Sequence, residues 1–156
     1  MRRIALLSGL VVLFVADIIT KQIALRHLGS LGVFSFWGKV KFGFLAVVNS
    51  RLAFNIPLPA ALILIILSVA IFGLVICLVK CPKRFKIFLW LILLGAISNF
   101  SDRILFGGVV DFISINFGNF SWPIFNFADC YIAAGVVGAL GRYAFCAVRA
   151  PSDRAH

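Results

Sequence analysis

The sequence predicts an all-α membrane protein: four transmembrane helices with a small extracytoplasmic β-sheet, or cradle, formed by the two outer loops. Three observations carry this prediction. The chain of 156 residues is 63% hydrophobic, with a mean hydropathy of +1.12. Only 13% of its residues are charged, where a soluble domain spends about a quarter on Asp, Glu, Lys and Arg. The apolar residues fall in four long runs, on the scale of the roughly 20 residues that cross a bilayer core. Four such spans leave room for two moderate loops and no separate soluble domain, so residues 1–156 read as a single integral membrane domain.

The first run covers about 4–25, behind Arg2 and Arg3. This resembles the start of a secretory signal, but a cleavable signal has a shorter apolar region ending in small residues. Here the run continues through Ala16, Asp17 and Lys21, so it is read as a retained helix. The second covers about 58–79, with Pro57 and Pro59 at its start, where a missing N–H costs nothing. The third, about 87–102, is expected to be the shortest, reaching the interface near Ser101 and Asp102. The fourth covers about 128–148 and stops before Pro151.

Basic residues set the orientation. Arg2 and Arg3, the link residues Lys80, Lys83, Arg84 and Lys86, and the C-terminal Arg142, Arg149 and Arg154 share one side. The loop of about 26–57 holds four basic residues, and that of about 103–127 only Arg103. By the positive-inside rule both termini are cytoplasmic and the two long loops are outside. Alternation in Lys39–Phe44, and in Val109–Phe117 ahead of Gly118-Asn119, predicts strands in these loops. Their aromatics (Phe34, Phe36, Trp37, Phe42, Phe44, Phe117, Phe120, Trp122) suit an interfacial belt.

The net charge of +10 is accounted for by topology, so no nucleic-acid partner is expected. Scattered cysteines (Cys77, Cys81, Cys130, Cys146) and two histidines, His27 and His156, suggest neither a metal site nor a disulfide framework. Serine–histidine chemistry lacks a well-placed histidine, and a nucleophilic Cys130 lacks a partner.

The acidic residues are Asp17, Asp102, Asp111, Asp129 and Asp153. Ionisable groups at membrane depth are costly and mark functional sites. Asp17 and Lys21 stand four apart on one helical face and read as an intrahelical ion pair; Asp102 beside Arg103 reads as a second local pair. Asp111 and Asp129 have no adjacent cation and lie 18 positions apart across one outer loop. Two carboxylates in an apolar setting share a proton, which suits one to activate water and the other to protonate a carbonyl. The competing reading is that both cap backbone N–H groups, Asp129 in the first turn of a helix.

Four motifs then resemble the bacterial signal peptidase II (prolipoprotein signal peptidase) family. Asp17-Ile18-Ile19-Thr20-Lys21 is similar to its D-x-x-[ST]-K, and Asn49-Ser50-Arg51-Leu52-Ala53-Phe54 to its N-x-G-x-[AS]-F. Gly95 to Asp111 matches G-x-x-x-N-x-x-D-R-x-x-x-G-x-V-x-D, and Phe125 to Asp129 matches F-N-x-A-D. The resemblance implies catalytic aspartates at Asp111 and Asp129. It further implies that Asn49, Asn99 and Arg103 hold substrate and shape the site, that Asn126 supports it, and that Asp17, Lys21 and Asp102 are structural. The implied reaction is cleavage of diacylglyceryl-modified prolipoproteins before the lipidated cysteine; a carboxylate pair needs no metal or cofactor for it, and a monomer among membrane lipids is expected. Arg51 departs from the family's usual Gly, which bears on the placement of Asn49. The rival expectations are a small transporter using its membrane aspartates as a relay, and a catalytically inactive paralogue that binds lipoproteins.

Overall fold

Apolar helices and short strands alternate along the chain in the computed structural model, which describes residues 2–27, 31–37, 40–51 and 56–148. The elements are α1 (Arg2–His27), β1 (Leu31–Trp37), β2 (Val40–Asn49), α2 (Ala60–Lys80), α3 (Lys86–Phe106), β3 (Val109–Phe117), β4 (Phe120–Ser121) and α4 (Phe127–Val148). A short 3-10 turn, Lys83–Phe85, leads into α3. Leu52, Ala53 and Phe54 of the second motif, together with Lys39, Arg149, Asp153 and Arg154, lie outside the described residues, as do the side chains of β1.

All four helices are long and apolar enough to cross a membrane, and their outward faces are apolar, as at Val69, Phe72 and Val137. Lipid solvates such faces, while the backbone polar groups are satisfied inside each helix. α2 starts two residues later than expected: Pro59 holds ψ at 137°, and its carbonyl accepts the first helical bond, from Ile63 N–H at 3.1 Å. The expected end of the third span near Asp102 is also corrected. α3 runs to Phe106 and has 21 residues, the same as α2. It continues because Asp102 and Arg103 find partners within the fold and need not stop at the interface. Gly107 ends it at φ +72°, donating its N–H to Arg103 O at 3.1 Å. This left-handed cap favours glycine.

α3 is the central helix, packing on α4, α2 and α1. A Cβ on Gly95 would sit 2.3 Å from the Ala128 carbonyl oxygen, and one on Gly135 2.6 Å from that of Phe88. Hydrogen side chains thus let the α3 and α4 backbones touch, the usual route to tight packing where lipid supplies no hydrophobic drive.

The strands form one antiparallel sheet in the order β1-β2-β3-β4. β2 carries on past the expected Phe44 to Asn49, with an irregularity between Phe44 and Val47 that hid it from simple alternation. The sheet covers one end of the bundle, where Ala24 of α1 is buried with Val110, Phe112 and Ile113 of β3. Phe42 and Phe44 pack edge to face against this cluster and so leave the expected aromatic belt. Phe117, Phe120 and Trp122 remain exposed at the β3–β4 turn.

Candidate active site

β3 carries Asp111 opposite Val47 of β2. Two residues further along β2, Asn49 projects on the same face, within diagonal reach across the pair. Its Nδ2 donates to Asp111 Oδ2 at 3.2 Å, while its Oδ1 accepts the Arg51 N–H at 3.0 Å, a local turn typical of Asn. Arg51 thus contributes its backbone here, and its side chain is exposed. Gly108 makes this approach possible, since a Cβ there would lie 2.8 Å from the Asn49 carbonyl.

The second carboxylate arrives through a backbone splice. Phe125 pairs with Ile113, its carbonyl accepting the N–H groups of Phe112 and Ile113 at 3.0 and 2.8 Å. This puts Asn126 beside β3 at the start of α4. The fully buried Asn126 donates Nδ2 to Asp111 Oδ1 at 2.7 Å, with Asn99 Oδ1 at 3.2 Å and Val110 O at 3.3 Å close by. Its Oδ1 accepts the Asp129 N–H at 3.0 Å. In return Asp129 Oδ2 accepts the Asn126 N–H at 3.2 Å, forming a reciprocal capping box. Asp129 Oδ1 takes Nδ2 of Asn99 at 2.7 Å. Asp129 therefore does cap its helix, as one sequence reading held, and it also shares an asparagine with Asp111.

Beside the pair lies a buried charge cluster. Lys21, 1% exposed, contacts Asp17 Oδ2 at 2.8 Å, Asp102 Oδ2 at 2.9 Å, Ser98 Oγ at 3.0 Å and Asn99 Oδ1 at 3.0 Å. Ser98 donates its hydroxyl to Asp17 Oδ2. Asp17 Oδ1 accepts the Ala128 N–H at 2.9 Å, and Asp102 Oδ2 accepts that of Val110 at 3.2 Å. The expected Asp17–Lys21 pair is present, but it ties α1 to α3 and α4 as well. Asp102 pairs with Lys21, which corrects the expected pairing with Arg103. Arg103 donates Nη1 to Asn99 O at 3.2 Å and Nη2 to Arg51 O at 3.3 Å, and its buried Nε has no partner among the described residues.

Burial, then the neighbouring Asp129 charge, push the Asp111 carboxyl up to about 6, against the pull of the Asn49 and Asn126 amides and of Lys21. A proton on Asp111 is thereby held within reach of neutral pH.

The structure brings every predicted site residue into one connected network: Asp111, Asp129, Asn49, Asn99, Asn126 and Arg103, with Asp17, Lys21 and Asp102 beside them. Ser98 and the Phe125 backbone were not singled out from sequence. Ser98 stands one helical turn before Asp102, and that spacing was its available signal.

Residues 10–145 match the family model described as signal peptidase (SPase) II. The lipoprotein signal peptidase of Anaplasma marginale (strain Florida) is 34% identical over 141 residues, 83% of this chain and 78% of its own length. That of Chlorobium phaeobacteroides (strain BS1) is 36% identical over 137 residues, 78% of this chain and 84% of its own. A solved bacterial membrane enzyme, 25% identical, superposes with a TM-score of 0.80 over 95% of this chain and 92% of its own. Sequence motifs, fold and these likenesses agree, and the chain belongs to the signal peptidase II family.

Proposed function

We propose that this protein is an aspartyl endopeptidase that removes the signal peptide from diacylglyceryl-modified prolipoproteins, cleaving before the lipidated cysteine. The observation that carries the reading is one fully buried asparagine, Asn126, that donates to Asp111 at 2.7 Å and forms a capping box with Asp129. Asp111 and Asp129 act as one proton-sharing pair. One carboxylate takes a proton from water, whose oxygen attacks the scissile carbonyl carbon, and the other protonates the carbonyl oxygen. The tetrahedral intermediate collapses as a proton passes to the amine nitrogen, the C–N bond breaks, and the pair returns to its starting state. Which carboxyl begins protonated is a property of the coupled pair.

Asn49 and Asn126 hold Asp111, and Asn99 holds Asp129. Arg103, whose buried Nε has no partner among the described residues, offers a donor to the substrate chain beside Asn49 and Asn99. Asp17, Lys21 and Asp102 have a structural role, locking the helices beneath the site. The basic-residue pattern supports a bacterial cytoplasmic (inner) membrane protein with both termini cytoplasmic and the site at the outer face. An apolar signal helix and two acyl chains then enter from the lipid, and water reaches the scissile bond at the interface. The catalytic unit is the monomer, surrounded by membrane lipids.

The test is cleavage of a diacylglyceryl-modified prolipoprotein by purified protein beside Asp111→Asn and Asp129→Asn. Turnover in the parent and loss in both variants, with substrate binding retained, is expected. Binding without turnover in the parent would identify a non-catalytic member.

A further inference from the structure

Away from the aspartates, α1 and α3 enclose a wholly apolar groove of about 320 Å³. Leu10 and Leu93 are buried at its floor, and Leu7, Val11, Trp90 and Leu94 form its walls. At their other end the same two helices are bound together by Lys21 reaching Asp102 and Ser98. The interface is thus tied at the polar network and opens to the surface as an apolar groove beneath it.

The charge pattern indicates the occupant. On α3, Lys86, Trp90 and Leu94 are spaced four apart. Positions four apart share a helix face, so the α3 wall of the groove, followed away from the aspartates, arrives at a basic position. Lys80, Lys83 and Arg84 gather at the same end. An apolar slot ending in cations, beside an indole ring, fits a molecule with a hydrocarbon chain and an anionic head.

We infer that the α1–α3 groove binds one acyl chain of an anionic phospholipid, with the phosphate-bearing headgroup against Lys86. A signal peptide helix is less suited to this slot, because its n-region is positively charged and would meet the cations at this end.

The full chain in neutral detergent, titrated with phosphatidylglycerol or phosphatidylcholine, provides the test by native mass spectrometry and thermal melting. One phosphatidylglycerol is expected to be retained per chain in preference to phosphatidylcholine, with a rise in melting temperature. Lys86→Gln should weaken phosphatidylglycerol retention about fivefold, the scale of one basic residue at a lipid surface. Leu94→Trp, and independently Val11→Trp from the facing wall, should fill the groove and abolish retention; prolipoprotein cleavage reports that each variant is folded. Equal retention of the two lipids, or retention unchanged in folded groove-filling variants, would overturn the inference. So would replacement of lipid by a second copy of the chain or by an apolar signal peptide.

Discussion

Lys21 Nζ lies 3.0 Å from Asn99 Oδ1, and this contact dictates which way the Asn99 amide faces. The oxygen also receives Asn126 Nδ2 at 3.2 Å, so the amide nitrogen is turned to Asp129 Oδ1 at 2.7 Å. A lysine cannot accept a hydrogen bond, and the reversed amide would set N–H donors against it. The buried charge on α1 thereby orients a carboxylate on α4 through α3.

Lys21→Met should accordingly lower both stability and turnover. It leaves Asp17 and Asp102 buried without their cation, a loss on the scale of about 3–5 kcal/mol for breaking a buried pair. Thermal unfolding in detergent should show the deficit, and combining the substitution with Asp102→Asn should recover part of it, because the two sites are directly coupled.

Asn126 serves two purposes that substitution can separate. Asn126→Ala removes both the α4 cap and the Asp111 donor and should cost about 1 kcal/mol from the cap alone. Asn126→Ser keeps a capping oxygen and should regain most of the cap contribution. Both variants should remain about 100-fold slower in cleavage, since carboxyl misplacement is felt at that level. Activity restored by serine would show that the Asp111 contact is dispensable.

The elevated Asp111 carboxyl makes stability depend on pH. Because the folded state binds this proton more tightly than the unfolded chain, its contribution is full below about pH 4 and is lost as pH rises through about 6. Asp111→Asn carries no such proton. Relative to the parent, its stability should therefore rise between pH 4 and pH 8 by up to about 3 kcal/mol, as read by melting curves across that range. A flat difference would indicate that Asp111 titrates as it does in the unfolded chain.

The two glycines after α3 should respond differently. Gly107→Asn should be tolerated, because Asn accepts the left-handed φ of 72° better than other side chains do. Gly108→Ala places a Cβ 2.8 Å from the Asn49 carbonyl and should cost about 1–3 kcal/mol. The same clash moves Asn49 off Asp111, so cleavage should fall in Gly108→Ala while Gly107→Asn stays near the parent.

The groups that chemistry requires were legible in the sequence because so few residues carry charge. Five aspartates in 156 residues leave little ambiguity about which could act. The four spans were legible because lipid demands long apolar runs, and β3 because it alternates up to a Gly-Asn turn. The end of α3 was misplaced because Asp102 and Arg103 look like interface residues until their partners are known. β2 was cut short because Leu45-Ala46-Val47-Val48 breaks the alternation where the ladder is irregular.

Local periodicity and composition thus determined the class of protein, the approximate spans and the cast of polar residues, since those follow from what water and lipid each tolerate. Tertiary structure decided the partners. Lys21 meets Ser98 and Asn99 across 77 and 78 residues, and Asn49 meets Asp111 across 62. Such contacts leave no periodic trace, because they depend on helix packing and strand register. The need to satisfy every buried charge and amide then selects, from many conceivable pairings, the one arrangement in which Asp111 and Asp129 are held through the same asparagine.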